Sequence, residues 1–355
     1  MKKLTILKIL FIFFILIFAI YLSFSKRYDT KGYVEKAFPN LLIDIEKITK
    51  ISIKDINNEI FINKENNKWV LKNYKEYPAD IKKVNNFFIN LSNGTFIDKK
   101  IFTNQSLKKL GLDNSFNNQF DSRRIRLYAE NNILYDFIIG KKSNDNASVN
   151  INYFRSLDAN LIWLFKNNLD LPDEELFWIN SKIFNISRGR VQQVKVIDEI
   201  KKDSFTIYRS NYSDSNYKFL NLPEGYDLKN SLTQNALAAS FENIQITNIF
   251  PIDIDADYQT IKDIQLTTFD GLVINYKIIK IDEKLHVRMF FSSDSSVRKE
   301  ITDDKKIVGI PSMKSFDDVK KEAEFLDFTK TWVYTFDEKT MSEFNKKRRD
   351  LLKKK

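Results

Sequence analysis

The sequence predicts an α+β protein: an N-terminal transmembrane helix, then two tandem repeats of a mixed, mostly antiparallel sheet with packed helices. Three observations predict it. Leu4 to Phe24 is apolar over the roughly 20 residues that a helix needs to cross a hydrocarbon core, with Lys8 its one charge. Short runs rich in Ile, Val and aromatic residues, separated by polar turns, follow it. The order of those runs recurs about 145 residues later.

The anchor occupies residues 1–25. Lys8, near its start, can snorkel to the interface, and Tyr21 sits where an aromatic belt is expected. A cleaved signal peptide is the alternative, with small residues at Ser23 and Ser25. The apolar run is longer than a usual signal-peptide core, and Lys26-Arg27 directly after the site disfavours cleavage. Residues 26–43, with Gly32 and Pro39, read as a juxtamembrane linker. Charge leaves the orientation open, because Lys2, Lys3 and Lys8 face Lys26, Arg27, Lys31 and Lys36 across the run.

The first repeat, residues 44–186, opens with a three-strand meander at Ile51-Ser52-Ile53, Ile60-Phe61-Ile62 and Trp69-Val70-Leu71. Ile81, Val84, Phe87, Phe88 and Leu91 then share one helical face, with Pro78 and Asp80 before it and Gly94 after it. Ser106 to Leu110 suggests a shorter helix that Gly111 terminates. Strands follow at Ile125–Tyr128, Leu134–Ile139 and Leu161–Phe165.

The second repeat, residues 187–338, runs in the same order. Val194–Val196, Phe205–Tyr208 and Tyr217–Phe219 stand for the meander, and Leu228, Leu232, Ala239 and Phe241 for the helix. Ile264–Thr267, Val273–Tyr276 and Trp332–Tyr334 stand for the later strands. Residues 339–355 read as a basic C-terminal helix or tail, in which Met341, Phe344, Leu351 and Leu352 can share an apolar face.

Composition excludes several classes of chemistry. The absence of cysteine removes disulfides, thiolate nucleophiles and Cys-based metal sites. The net charge of +10 is concentrated at the ends. Residues 1–36 carry seven cations against Asp29 and Glu35, and residues 339–355 carry eight against Glu343 and Asp350, which leaves residues 37–338 at −1. A body this neutral argues against nucleic acid as a partner, since phosphate recognition places excess charge on the folded surface. No Gly-rich phosphate loop of either common pattern is present, so no nucleotide cofactor is expected.

The remaining candidates are few. His286 is the single histidine, and Leu285-His286-Val287-Arg288 reads as an ordinary strand. Asp253, Asp255 and Asp257 alternate like the start of a calcium loop, but the required Gly and closing Glu are missing, so a solvated edge is the simpler reading. Arg188 and Arg190 flank Gly189 and could meet an anion, although a turn between the repeats accounts for them as well. The cationic cluster Lys346, Lys347, Arg348, Arg349, Lys353, Lys354 and Lys355 could dock on anionic lipid or an acidic partner, or could be the solvated end of a docked helix.

Trp69-Val70-Leu71, Pro78-Ala79-Asp80, Leu110-Gly111-Leu112-Asp113 and the run Leu171 to Ile179 containing Trp178 resemble a bacterial family known as domain of unknown function 4340. The stretch from Ile48 to about Ile197 carries the resemblance. It implies a membrane-anchored protein of the cytoplasmic membrane with an extracytoplasmic body, associated with ABC-type transport systems, some linked to gliding motility. It brings no catalytic, cofactor or metal residues. The expected function is therefore a non-enzymatic accessory role with ABC-transporter subunits or other envelope proteins as partners. The alternative is a module that binds a small molecule, lipid or glycan.

Overall fold

The computed structural model describes residues 34–100, 103–113, 122–143, 150–157, 161–172, 174–253, 258–299 and 313–355. The apolar run Leu4–Phe24 and residues 26–33 of the linker lie outside the described residues. Among the described residues no helix is long and apolar enough to cross a membrane. The chain divides into two compact units, Met1–Trp178 and Ile179–Lys355. The division falls earlier than the predicted 186/187 boundary, and the second unit includes the C-terminal residues that the sequence set apart.

The first unit comprises β1 (Glu35–Lys36), α1 (Leu41–Asp44), β2 (Lys50–Lys54), β3 (Glu59–Glu65), β4 (Lys68–Leu71), β5 (Tyr77–Pro78), α2 (Ile81–Asn93), β6 (Thr95–Lys100), α3 (Asn104–Leu110), β7 (Arg123–Ala129), β8 (Asn132–Lys142), β9 (Ile151–Ser156) and β10 (Ile162–Lys166). Its sheet has ten strands in the order β1-β6-β10-β9-β8-β7-β2-β3-β4-β5. The second unit comprises β11 (Val191–Asp198), β12 (Phe205–Tyr208), β13 (Lys218–Phe219), β14 (Tyr226–Leu228), α4 (Ser231–Ala239), β15 (Ile246–Pro251), β16 (Thr260–Thr268), β17 (Leu272–Ile281), β18 (Lys284–Ser293), α5 (Phe316–Leu326), β19 (Trp332–Phe336), α6 (Glu338–Phe344), α7 (Arg348–Leu351) and β20 (Leu352–Lys354). Its main sheet runs β13-β12-β11-β16-β17-β18-β19-β15, and β14 pairs with β20 apart from it.

Every registered strand pair in both units is antiparallel. With helices packed beside these sheets, the protein is α+β. Without its two end strands, the first sheet reads β4-β3-β2-β7-β8-β9-β10-β6. The second reads in the same sense β13-β12-β11-β16-β17-β18-β19-β15, so each strand has a counterpart of the same rank along the chain.

Local chemistry explains the elements. In α2, the Asp80 carboxylate accepts from the Lys82 N–H at 2.9 Å, capping the first turn, and Val84, Phe87, Phe88 and Leu91 are buried on one face. Gly94 ends this helix for a reason that the sequence does not reveal: its φ is −61°, and a Cβ there would lie 2.2 Å from the Phe165 ring. Gly111 ends α3 in the left-handed region at φ 68°, where glycine carries no steric penalty, and its N–H donates to the carbonyls of Leu107 and Lys108.

Two expectations need correction. Residues 35–43 are not a free linker: β1 joins the sheet edge by pairing with β6, and Phe38 and Leu41 are buried. The run Leu171–Ile179 contributes a 3₁₀ turn at Glu175–Trp178, whose Trp178 is buried and packs against Phe87. Around α4 the predicted face holds only at Phe241, which is buried just past the helix end. Leu228 belongs to β14 and Leu232 is 73% exposed, while Gln234, Asn235, Leu237 and Ala238 face inward.

Candidate functional site

The C-terminal cations do not form one helical face. Two short helices and a strand replace the single helix, because Phe344, Leu351 and Leu352 are each buried separately. Phe344 packs on Phe241 at 5.1 Å, Tyr276 at 5.3 Å and Phe336 at 5.9 Å. The buried ammonium of Lys262 donates to the carbonyls of Phe344 at 3.3 Å and Lys346 at 3.0 Å, with the Asp198 carboxylate 3.4 Å away. Burial lowers the Lys262 pKa, and Asp198 opposes that shift.

This arrangement divides the cluster. Lys346 pairs with Glu343, Lys347 lies 3.5 Å from Asp203, and Arg348 sits over the Phe219 ring at 6.0 Å. Arg349, Lys353, Lys354 and Lys355 are exposed, the last three on or just after β20. Only these four present free cationic surface of the kind the sequence suggested.

Arg190 is buried, and the anions that it meets belong to its own chain. Its Nε and Nη2 donate to Asp270 at 2.9 and 3.2 Å, and its Nη1 and Nη2 donate to Glu322 at 3.0 and 2.8 Å. Lys314 adds a contact to Glu322 at 3.0 Å, and the Thr268 hydroxyl donates to Asp270 at 2.6 Å. Burial alone would raise the Glu322 pKa, but the bonds from Arg190 and Lys314 outweigh it and lower the value. Arg209 donates to the carbonyls of Arg188, Gly189 and Val191, which holds this turn against β12. The site is a clamp joining the turn before β11, the β16–β17 turn and α5.

His286 lies in β18, nearly buried, with Nδ1 2.9 Å from the Thr335 hydroxyl and its ring edge-on to Phe250 at 5.1 Å. Burial lowers its pKa, so it is neutral near pH 7. Of the acidic run, Asp253 receives its backbone contact from the Tyr258 side, the N–H donating to the phenol oxygen at 3.1 Å. Asp255 and Asp257 lie outside the described residues. Among the described residues no group of three or more His, Cys, Asp or Glu is placed to hold a metal ion.

Among the described residues, cavities of three kinds stand out. One of about 530 Å³ is lined by polar and charged groups, including Glu242, Asp337, Lys339 and Glu343. Another, of about 230 Å³, contains Arg123, Lys142 and three asparagines. The third, of about 200 Å³, is mainly aromatic and lies in the first unit where the described chain begins. Phe38 forms its floor, 4.9 Å from Phe137 and edge-on to Tyr135 at 5.8 Å, while Phe96 stacks on Trp163 at 4.6 Å and 18°. The Tyr135 hydroxyl donates to Asp44 at 2.8 Å; burial and that bond raise its pKa. The volume is below the roughly 300 Å³ at which pockets enclose a drug-sized ligand, so this feature suits a surface contact better than an enclosed ligand.

This aromatic pocket escaped the sequence reading because it draws on Ala37–Asn40, Phe96, Leu134–Phe137, Phe154 and Trp163, segments far apart along the chain. No match was found among curated proteins or among solved structures. Residues 69–268, more than half of the chain and extending well into the second unit, match the family described as a domain of unknown function (DUF4340), and the chain belongs to that family.

Proposed function

We propose that this protein is a membrane-tethered, non-enzymatic accessory component of an ABC-type transport or cell-envelope complex, with its body outside the cytoplasm and its two units arising from one duplicated α+β module. The observation that carries the reading is the apolar run Leu4–Phe24 placed only ten residues ahead of Val34, so that the folded body follows the anchor on a short tether. The shared strand order of the two sheets supports the duplication. The family resemblance supports association with transport systems. The commitment of buried charge to internal clamps, Arg190 with Asp270 and Glu322, and Lys262 with helix-end carbonyls, supports a scaffold in preference to a reactive centre.

The test is a mild-detergent pull-down of the full-length protein from native membranes with mass spectrometry of the retained proteins. Recovery of ABC permease or ATPase subunits above a mock control is the expected outcome. Recovery of the protein alone would remove the accessory reading and leave the binding-module alternative, for which the aromatic pocket is the place to look.

A further inference from the structure

We propose that the face of the first unit around Phe38, Leu134 and Trp163 is seated on the surface of the bilayer that anchors the chain. The inference rests on the membrane-tethered reading above and adds which part of the body meets the lipid. Val34, Leu42, Ile43 and Leu134 are 68%, 65%, 71% and 38% exposed. Among the described residues of this unit they account for four of the eight large exposed aliphatic residues, the others being Ile56, Ile81, Ile89 and Ile133, the last paired with Tyr128 on the other face of the sheet. Scattered surface aliphatics need no explanation, but a concentration of them beside an aromatic hollow marks an interaction face.

The fold builds this face deliberately. Tyr128 pairs with Ile133 and Leu127 with Tyr135, so Leu134 is the extra residue of a β-bulge, a device that re-aims a side chain. Leu134 lines the same hollow as Ala37, Pro39 and Asn40. Phe96 and Trp163 stack at the other side, both only half-buried, whereas Trp69, Trp178 and Trp332 are buried. Amphipathic aromatic rings prefer the headgroup level of a bilayer.

The length of the chain supplies the occupant. From Phe24 at the end of the apolar run to Val34 the chain can extend at most about 35 Å, and β1, which follows directly, is fixed in the sheet by its pairing with β6. Lys36 ties the same edge to the end of α2, its ammonium donating to the Ser92 carbonyl at 3.2 Å. The patch is thus held close to lipid at high effective concentration, and a weak surface affinity suffices. Charges near it are mixed, with Glu35, Asp44 and Glu46 beside Lys36 and Lys47, so the contact depends on apolar and aromatic groups and not on anionic headgroups.

The test uses the full chain reconstituted into nanodiscs of neutral phosphatidylcholine, with and without bromine on the acyl chains near the headgroup. Brominated lipid is expected to quench part of the tryptophan emission, and Trp163→Phe is expected to abolish that part. This conservative variant leaves the buried tryptophans in place. Incorporation without quenching attributable to Trp163 overturns the seating and leaves the tether intact. Failure of the protein to stay with the discs through an alkaline wash removes both the tether and the seating.

Discussion

Arg190→Met is expected to destabilise the second unit by about 3–5 kcal/mol, the cost of leaving a buried charge without its partner. The residue left stranded is Asp270, which is 1% exposed and, among the described residues, keeps the Thr268 hydroxyl and the Lys314 N–H. Urea unfolding of the full chain in mild detergent, followed by near-ultraviolet circular dichroism, measures the change. The same clamp predicts a pH dependence. The Glu322 pKa is lowered in the folded state, so its contribution is fully present above the ordinary glutamate range and is lost as pH falls through the folded value. Wild-type stability should therefore fall on acidification below about pH 4. Glu322→Gln, already less stable at neutral pH, should show a shallower fall over that window.

Phe344→Ala should cost about 3–5 kcal/mol, because it removes a buried ring from contact with Phe241, Tyr276 and Phe336 and the site cannot collapse fully around the gap. Joint replacement of Arg349, Lys353, Lys354 and Lys355 by serine should change stability by no more than about 0.5 kcal/mol per residue, as expected of exposed groups. The pair of experiments separates the two roles that the sequence combined in one amphipathic helix. A large loss from the serine variant would mean that the cations hold the fold themselves.

Elements with a strong period were legible in the sequence. The α2 face, the meander β2–β4 and the β7–β8 pair follow directly from apolar spacing and turn residues. Strand β6 was missed because Thr95–Lys100 ends in charge and carries no apolar alternation, although it is central to the edge that receives β1. In α4 the buried positions include Gln234 and Asn235, so hydrophobicity pointed to the wrong face; Asn235 is inward because its side chain bonds to Tyr217 and Asn216. The Arg190 clamp joins residues 80 and 132 positions apart, a proximity that only the folded sheet and α5 create. The Arg188-Gly189-Arg190 run suggested only that its arginines could meet an anion, not that the anions would be Asp270 and Glu322 of the same chain.

Under the proposed function the body is held at the membrane and exposed outside the cytoplasm. The direct measurement is extraction of native membranes at high pH, combined with protease treatment of spheroplasts and of inverted vesicles. The full chain should stay in the washed membrane pellet, and protease should degrade its body in spheroplasts while inverted vesicles protect it. Release of the chain into the soluble fraction, or protection in spheroplasts with digestion in inverted vesicles, would contradict it.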